Sequence, residues 1–259
     1  MSSWSSRRKS FLGGGFLIVI FAIIFLIVFS FIYKKPTCFD NIMNGNEKGV
    51  DCGGSCVKLC QTSFLSPRIT WGGAKFEKVA NGLYNVASYV ENLNINAGAK
   101  NVPYKISLFD EKGLIIIEKI GYMDIPAHRN VLVFEPAINT GKRVPIKSTF
   151  EFLQSPVWFK SDDKLGDIVV GDKKYNEDEN SSSFEVSLMN KGLNSHKDIQ
   201  VAVVLFNNEG NVIGFSKTNI DEISPKGGKE SAFFTWPIKR DNKVVSEEII
   251  IMNDDVSVR

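Results

Sequence analysis

The sequence predicts an all-β protein in which two successive β-sandwich modules follow one N-terminal transmembrane α-helix. Three observations predict this architecture: an apolar segment without charge at residues 11–33, four cysteines within residues 38–60, and a strand-rich pattern that occurs twice in the remainder of the 259-residue chain. We therefore expect a cytoplasmic tail at 1–10, a transmembrane helix at 11–33, a cysteine-rich neck at 34–63, and modules at 64–160 and 161–259.

The apolar segment runs from Phe11 to Tyr33. At about 1.5 Å per helical residue it spans roughly 34 Å, which exceeds the bilayer's hydrocarbon core of about 30 Å. A cleaved signal peptide is the alternative, but no small-x-small site follows the segment. Basic residues 7–9 outnumber Lys34 and Lys35 on the other side, which predicts a cytoplasmic N-terminus and a single-pass plasma-membrane protein whose residues 11–33 contact lipid.

The cysteines of the chain all lie in the neck, at Cys38, Cys52, Cys56 and Cys60. So short a segment cannot form a core of its own, and clustered structural thiols outside the cytoplasm become oxidised. The pattern therefore predicts two disulfides, for which three pairings are possible. A zinc site with four thiolate ligands is the alternative, although the spacing lacks paired C-x2-C knuckles.

The neck also contains oxygen-bearing side chains interleaved with glycines. Hard oxygen ligands on a glycine-bent loop suit Ca²⁺, whereas Asn, Asp and Gly also simply form turns. The calcium hypothesis rests on five residues: Asp40, Asn44, Asn46, Glu47 and Asp51. No other cofactor is expected.

Residues 38–56 resemble a cysteine motif of bacterial envelope and secreted proteins, C-x-D-G-x-x-N-G-x-E-x-G-V-D-C-G-G-x-C, with Asn41 in place of the first Gly. The resemblance implies an envelope location and a spacer or docking role, and it implies no activity.

The remainder of the chain is an internal repeat, in which Ile106–Gly113 corresponds to Val203–Gly210. In both copies apolar residues occupy every second position. They stand at 104, 106 and 108 in the first copy and at 201, 203 and 205 in the second, as in a strand with one buried face. Gly113 and Gly210 supply the left-handed residue of a hairpin turn. Short strands broken by Gly, Asn and Pro favour a β-sandwich, and short linkers favour an end-to-end arrangement of the two modules.

The blocks L-F-D-E-K-G and L-F-N-N-E-G, each followed by a strand and a proline turn, resemble the FxLYD family of immunoglobulin-like domains over most of Leu65–Asp254. The resemblance implies two immunoglobulin-like folds and an extracytoplasmic location. It brings no catalytic residues.

Catalytic residues are not predicted, because the chain contains neither a G-x-S-x-G elbow nor an H-E-x-x-H helix. His128 and His196 are interpreted as exposed loop residues, and Trp71, Trp158 and Trp236 as core. A net charge of +2 without a basic stripe argues against nucleic-acid binding.

The function that the sequence favours is display. A non-enzymatic, membrane-anchored envelope protein would present its two modules for adhesion or for assembly of an envelope complex, with an envelope protein or glycan as partner. The alternatives are a structural spacer or accessory subunit whose contacts lie in the transmembrane helix, and an enzyme with a site between the modules near Asp162–Gly166.

Overall fold

The computed structural model describes residues 4–32, 35–162, 165–178, 181–236 and 243–253. Two compact units make up the chain, Met1–Ser55 and Cys56–Arg259. The first unit contains helix α1 (Trp4–Ile32) and most of the neck. Among the residues whose side chains are described, none forms a helix with both the length and the apolar content needed to cross a bilayer.

The second unit is built from strands, which confirms the all-β prediction. A single 3-10 turn, Gln61–Ser63, precedes them. The strands are β1 (Arg68–Ala80), β2 (Leu83–Glu91), β3 (Ala97–Phe109), β4 (Ile115–Ile125), β5 (Asn130–Asn139), β6 (Lys147–Phe152), β7 (Trp158–Lys160), β8 (Ile168–Glu177), β9 (Ser182–Asn190), β10 (His196–Phe206), β11 (Val212–Ile223), β12 (Gly228–Trp236) and β13 (Ser246–Asn253).

The strands form two copies of one antiparallel sandwich. Module 1 pairs a sheet of order β1-β2-β5 with a sheet of order β4-β3-β6, and β7 also pairs with β3. Module 2 repeats this connectivity as β12-β9-β8 and β11-β10-β13. The repeat seen in the sequence is therefore a repeat of topology, and it confirms the sandwich prediction.

The hairpin turns after β3 and β10 match atom for atom. Gly113 N donates to Asp110 O at 2.9 Å and Gly210 N to Asn207 O at 3.1 Å. Both glycines have positive φ, 74° and 76°, as the turn requires. The Asp110 and Asn207 side-chain oxygens each accept two backbone N–H groups. Either residue therefore closes the same turn.

The central strands differ between the copies in how many faces are buried. In β3 the residues Tyr104, Ile106 and Leu108 are buried as predicted, while the other face carries two polar residues, the half-buried Lys105 and the buried Ser107. In β10 the whole run from Val201 to Leu205 is buried. Strand β10 is therefore covered on both faces.

The second buried face of β10 packs against module 1. Ala202 and Val204 belong to the same apolar cluster as the module 1 core, together with Phe215, Ile250 and Met252. The opposite face of β10 joins the core of module 2. Sheets β1-β2-β5 and β11-β10-β13 are therefore in face-to-face contact, and the end-to-end arrangement favoured by the short linkers is wrong.

The tryptophans of the modules pack as predicted. Trp158 and Trp236 are buried. Trp71 is half-buried at the contact between modules, where its ring stacks 5.6 Å from Tyr89 and lies 6.3 Å from Phe215.

Candidate interaction surfaces

The neck is cross-linked through its cysteines. All four, Cys38, Cys52, Cys56 and Cys60, are disulfide-bonded, and no free cysteine occurs among the described residues. A sulfur committed to a disulfide offers no thiolate to a metal ion, so the structure disagrees with the zinc alternative.

The neck carboxylates accept hydrogen bonds from the loop that carries them. The Asp51 carboxylate accepts the backbone N–H groups of Asp40 and Asn41, at 2.9 and 3.0 Å. The Asp40 carboxylate accepts the N–H groups of Thr37 and Ile42 and the side-chain amide of Asn44. The Asn44 amide and then the Thr37 N–H hold the pKa of Asp40 below its usual value.

The other candidate calcium ligands also lie in this turn network. Glu47 Oε2 accepts the Asn44 N–H at 3.1 Å. The Asn46 carbonyl lies so close to Gly54 that a side chain at position 54 would overlap that carbonyl. Asn41 has a φ of 58°, a left-handed conformation that explains why Asn replaces the Gly of the resembling motif. The structure thus brings the five predicted residues into one loop, where turn formation accounts for the bonds described; the calcium hypothesis stays a prediction.

An exposed apolar surface lies at one end of module 1, and we call it the apolar tip. It consists of Leu114, Ile115, Val144 and Ile146, whose exposed fractions run from 50% to 63%. Arg143 joins the two segments that carry these residues, because its guanidinium donates to the carbonyls of Ile115 at 2.8 Å and Leu114 at 3.3 Å.

Arg143 also forms an ion pair with Asp110 in the hairpin turn. This bond, followed by the backbone N–H of Leu114, lowers the pKa of Asp110. The Ile146 N–H in turn donates to Phe109 O at 2.9 Å. The tip is therefore attached to the end of β3 by backbone and side-chain bonds.

Among its described residues, module 2 lacks this apolar tip. At the positions equivalent to Leu114 and Val144 it has Asn211 and Lys243, both exposed. Of the two remaining equivalents, Val212 packs against the module 1 core and Val245 is exposed. The sequence contained a signal for the tip that our sequence analysis missed, namely apolar residues beside a turn in one copy where the other copy has polar residues.

A cleft of about 280 Å³ opens where the modules meet. Its polar lining groups bond to neighbours: Lys217 Nζ donates to Gln200 Oε1 at 3.0 Å, and Asp124 Oδ1 accepts the Asn101 N–H. The Tyr104 hydroxyl, also in the lining, donates to Glu135 at 2.6 Å, and burial followed by this carboxylate raises its pKa. The hydroxyl stays neutral and is not activated as a nucleophile.

The histidines are not equivalent in environment. His128 is exposed, as predicted, beside a second cleft of about 300 Å³. His196 is half-buried as the first residue of β10, because its backbone pairs with Ile223; the prediction of an exposed loop residue is wrong here. Its Nε2 has no hydrogen-bond partner among the described residues. The Asp162–Gly166 junction falls partly outside the described residues.

Neither a protein-family model nor a curated protein matches the chain. Among solved structures, the chain is similar to a red sea bream transglutaminase (12% identity, TM-score 0.25, 73% of this chain and 31% of that one) and to a glycoside hydrolase family 2 β-glucuronidase (10%, 0.23, 86% and 29%). It is also similar to a putative β-galactosidase from Bacteroides fragilis (12%, 0.20, 67% and 33%). The chain spans about a third of the length of these proteins.

Proposed function

We propose that this chain is a single-pass, membrane-anchored, non-enzymatic protein of the cell envelope. In this proposal it displays two immunoglobulin-like modules outside the cytoplasm and binds a partner protein through the apolar tip of module 1. The tip is the observation that carries the proposal, because exposed apolar side chains at one end of a module with polar groups beside them are typical of a protein-binding site.

The position of the tip supports a display role. The chain enters module 1 beside β7, where Leu59 N donates to Trp158 O at 2.8 Å. Strand β7 pairs with the first residues of β3, and the tip follows its last residue, Phe109. At about 3.4 Å per residue, the length of β3 places the tip roughly 40 Å from the point of entry. The binding surface thus lies at the far end of the module from this point of entry.

Two features of the upstream segment support an anchor and an oxidising exterior. The run Phe11–Tyr33 is charge-free over a length that suits a bilayer. All four cysteines are oxidised, as in proteins outside the cytoplasm.

The chemistry of the tip favours a protein over a glycan. Its four side chains are aliphatic, whereas glycan recognition needs convergent hydrogen-bonding groups to match sugar hydroxyls. Aliphatic residues pack against the apolar centre of a protein interface.

The test is photo-crosslinking in native membranes, with a photoreactive amino acid at position 146. We expect one crosslinked partner, which is lost in the double variant Leu114→Ser, Val144→Ser. The matched control is Val245→Ser, which makes the same kind of change at the exposed equivalent position of module 2 and should keep the crosslink.

A second arm replaces residues 11–33 by an unrelated apolar segment of equal length. Retained crosslinking supports binding through the tip, whereas loss of the complex supports the accessory-subunit alternative. Equal crosslinking in the double variant and the parent would contradict the proposal.

A further inference from the structure

Two carboxylates shape the loop that follows the first cysteine. Those of Asp51 and Asp40 accept the backbone N–H groups of residues 37 and 40–42. Asp side chains that bond nearby backbone in this way fix the conformation of a turn.

The apolar side chains of the same loop face solvent. Phe39 is 87% exposed, Ile42 56% and Met43 59%. Three large apolar side chains within five residues form an exposed patch that a free surface loop has no reason to keep. We call Phe39–Met43 the apolar loop.

The location of this patch identifies its occupant. The loop begins six residues after Tyr33, the last residue of the charge-free run, and Lys34 and Lys35 stand between. Aromatic and basic residues next to an apolar span are typical of the membrane interface, where rings insert and cations meet anionic headgroups.

We infer that the apolar loop lies in the interfacial layer of the bilayer, with Phe39, Ile42 and Met43 inserted beside the acyl chains. The inference rests on the proposed anchor and adds a second lipid contact to it. Side chains in this position reach about 5–10 Å into the boundary between headgroups and acyl chains. The disulfide-linked neck thereby begins on the membrane surface.

The experiment uses the full-length chain in vesicles of phosphatidylcholine and phosphatidylglycerol, with Phe39→Trp as the probe. Phe39 is almost fully exposed, so the change leaves the neck fold intact. The matched control is Lys48→Trp, at an exposed position of the same neck. Emission is measured as the difference from the parent chain, because the parent has four tryptophans.

We expect lipids brominated in the upper acyl chain to quench the Phe39→Trp emission, and aqueous iodide to quench only the Lys48→Trp emission. Iodide quenching of both positions, without bromolipid quenching, overturns the inference. Protection of Phe39→Trp from iodide without bromolipid quenching also overturns it and assigns the patch to a protein contact.

Flotation of the same vesicles separates the two proposals. If the chain floats while Phe39→Trp is not quenched, the anchor stands and the loop inference fails. If the chain does not float, the anchor fails and the loop inference fails with it.

Discussion

The same positions of the two modules carry opposite chemistry on one sheet face. In module 1 Lys105 pairs with Glu118 at 3.1 Å and with Glu151 at 2.9 Å. In module 2 the same strand registers place Ala202, Phe215 and Ile250 at the equivalent positions. All three are buried against module 1.

The other sheet of each sandwich shows the same contrast with the modules exchanged. In module 1 Tyr89 and Leu132 face module 2; the Tyr89 hydroxyl donates to Glu248, and the Leu132 N–H contacts the Met252 sulfur at 3.3 Å. Their equivalents in module 2 are Ser187 and Ser231, which are half-buried.

Each module therefore has one face that packs against the other module and one polar outer face. The contact joins two different faces, and a contact of that kind can in principle add module after module. Charge on one outer face and hydroxyl groups on the other make these faces unlike the apolar contact between the modules, as the polar outer faces of capping repeats are in solenoid proteins. The two modules therefore share one topology and differ in the chemistry of their surfaces.

The largest expected effect comes from giving module 2 the residue of module 1. Ala202→Lys places an ammonium group in the buried contact between modules without a carboxylate partner, and we expect it to cost roughly 3–5 kcal/mol of unfolding free energy. The reverse change, Lys105→Ala, removes the two ion pairs with Glu118 and Glu151, and surface pairs of this kind contribute little, so its effect is expected to be small.

Urea unfolding of both variants measures this difference. Equal losses of stability in the two variants would show that the inner face of module 2 and the equivalent outer face of module 1 are interchangeable, against the structure.

The sequence predicted the fold because local patterns determine it. Alternation in Y-K-I-S-L and the turns at Gly113 and Gly210 specify strands and hairpins within a few residues of each other. The two sandwiches and their equivalent turns followed from these patterns.

The contact between modules was missed, although the sequence held a signal for it. The run Val201–Leu205 is continuously apolar where module 1 alternates, and a continuous apolar strand is buried on both faces. Linker length carried no information about which faces meet. The apolar tip also had a signal, the apolar Leu114 and Val144 where module 2 has Asn211 and Lys243, but that these side chains are exposed depends on what packs nearby, which is a long-range property.

An intermediate effect is expected at Tyr89, which joins the modules through Glu248. Burial, followed by the Glu248 carboxylate, raises the pKa of Tyr89 above its ordinary value of 10.0. Below pH 10 the hydroxyl is protonated in both states and its contribution is intact. As the pH rises above 10 the unfolded chain ionises first, so this contribution is lost.

Tyr89→Phe removes the hydrogen bond to Glu248 and, with it, the part of the pH dependence of stability above pH 10 that the hydroxyl causes. We expect a loss of about 1 kcal/mol at neutral pH and a shallower decline of stability above pH 10 than in the parent. Tyr104→Phe, whose hydroxyl bonds to Glu135 within module 1, is the comparison for a hydroxyl that does not bond across the contact. A decline in Tyr89→Phe as steep as in the parent contradicts the assigned role.

The smallest effect concerns the turns, where the modules differ by one atom. Asp110→Asn keeps the turn bonds that Asn207 makes in module 2 and removes only the charge that Arg143 meets. Because the pKa of Asp110 is lowered, its contribution is present above the ordinary value of 3.8 and is lost as the pH falls through the lower folded value.

The parent and Asp110→Asn should therefore differ at neutral pH and converge in strong acid, as measured by urea midpoints across that range. Arg143→Gln should cause a similar small loss, and the double variant should lose little more than either single one, because both changes break the same pair. Fully additive losses would show that Arg143 stabilises the tip only through its bonds to the Leu114 and Ile115 carbonyls. The two turns would then differ in these backbone bonds of Arg143 and not in its ion pair with Asp110.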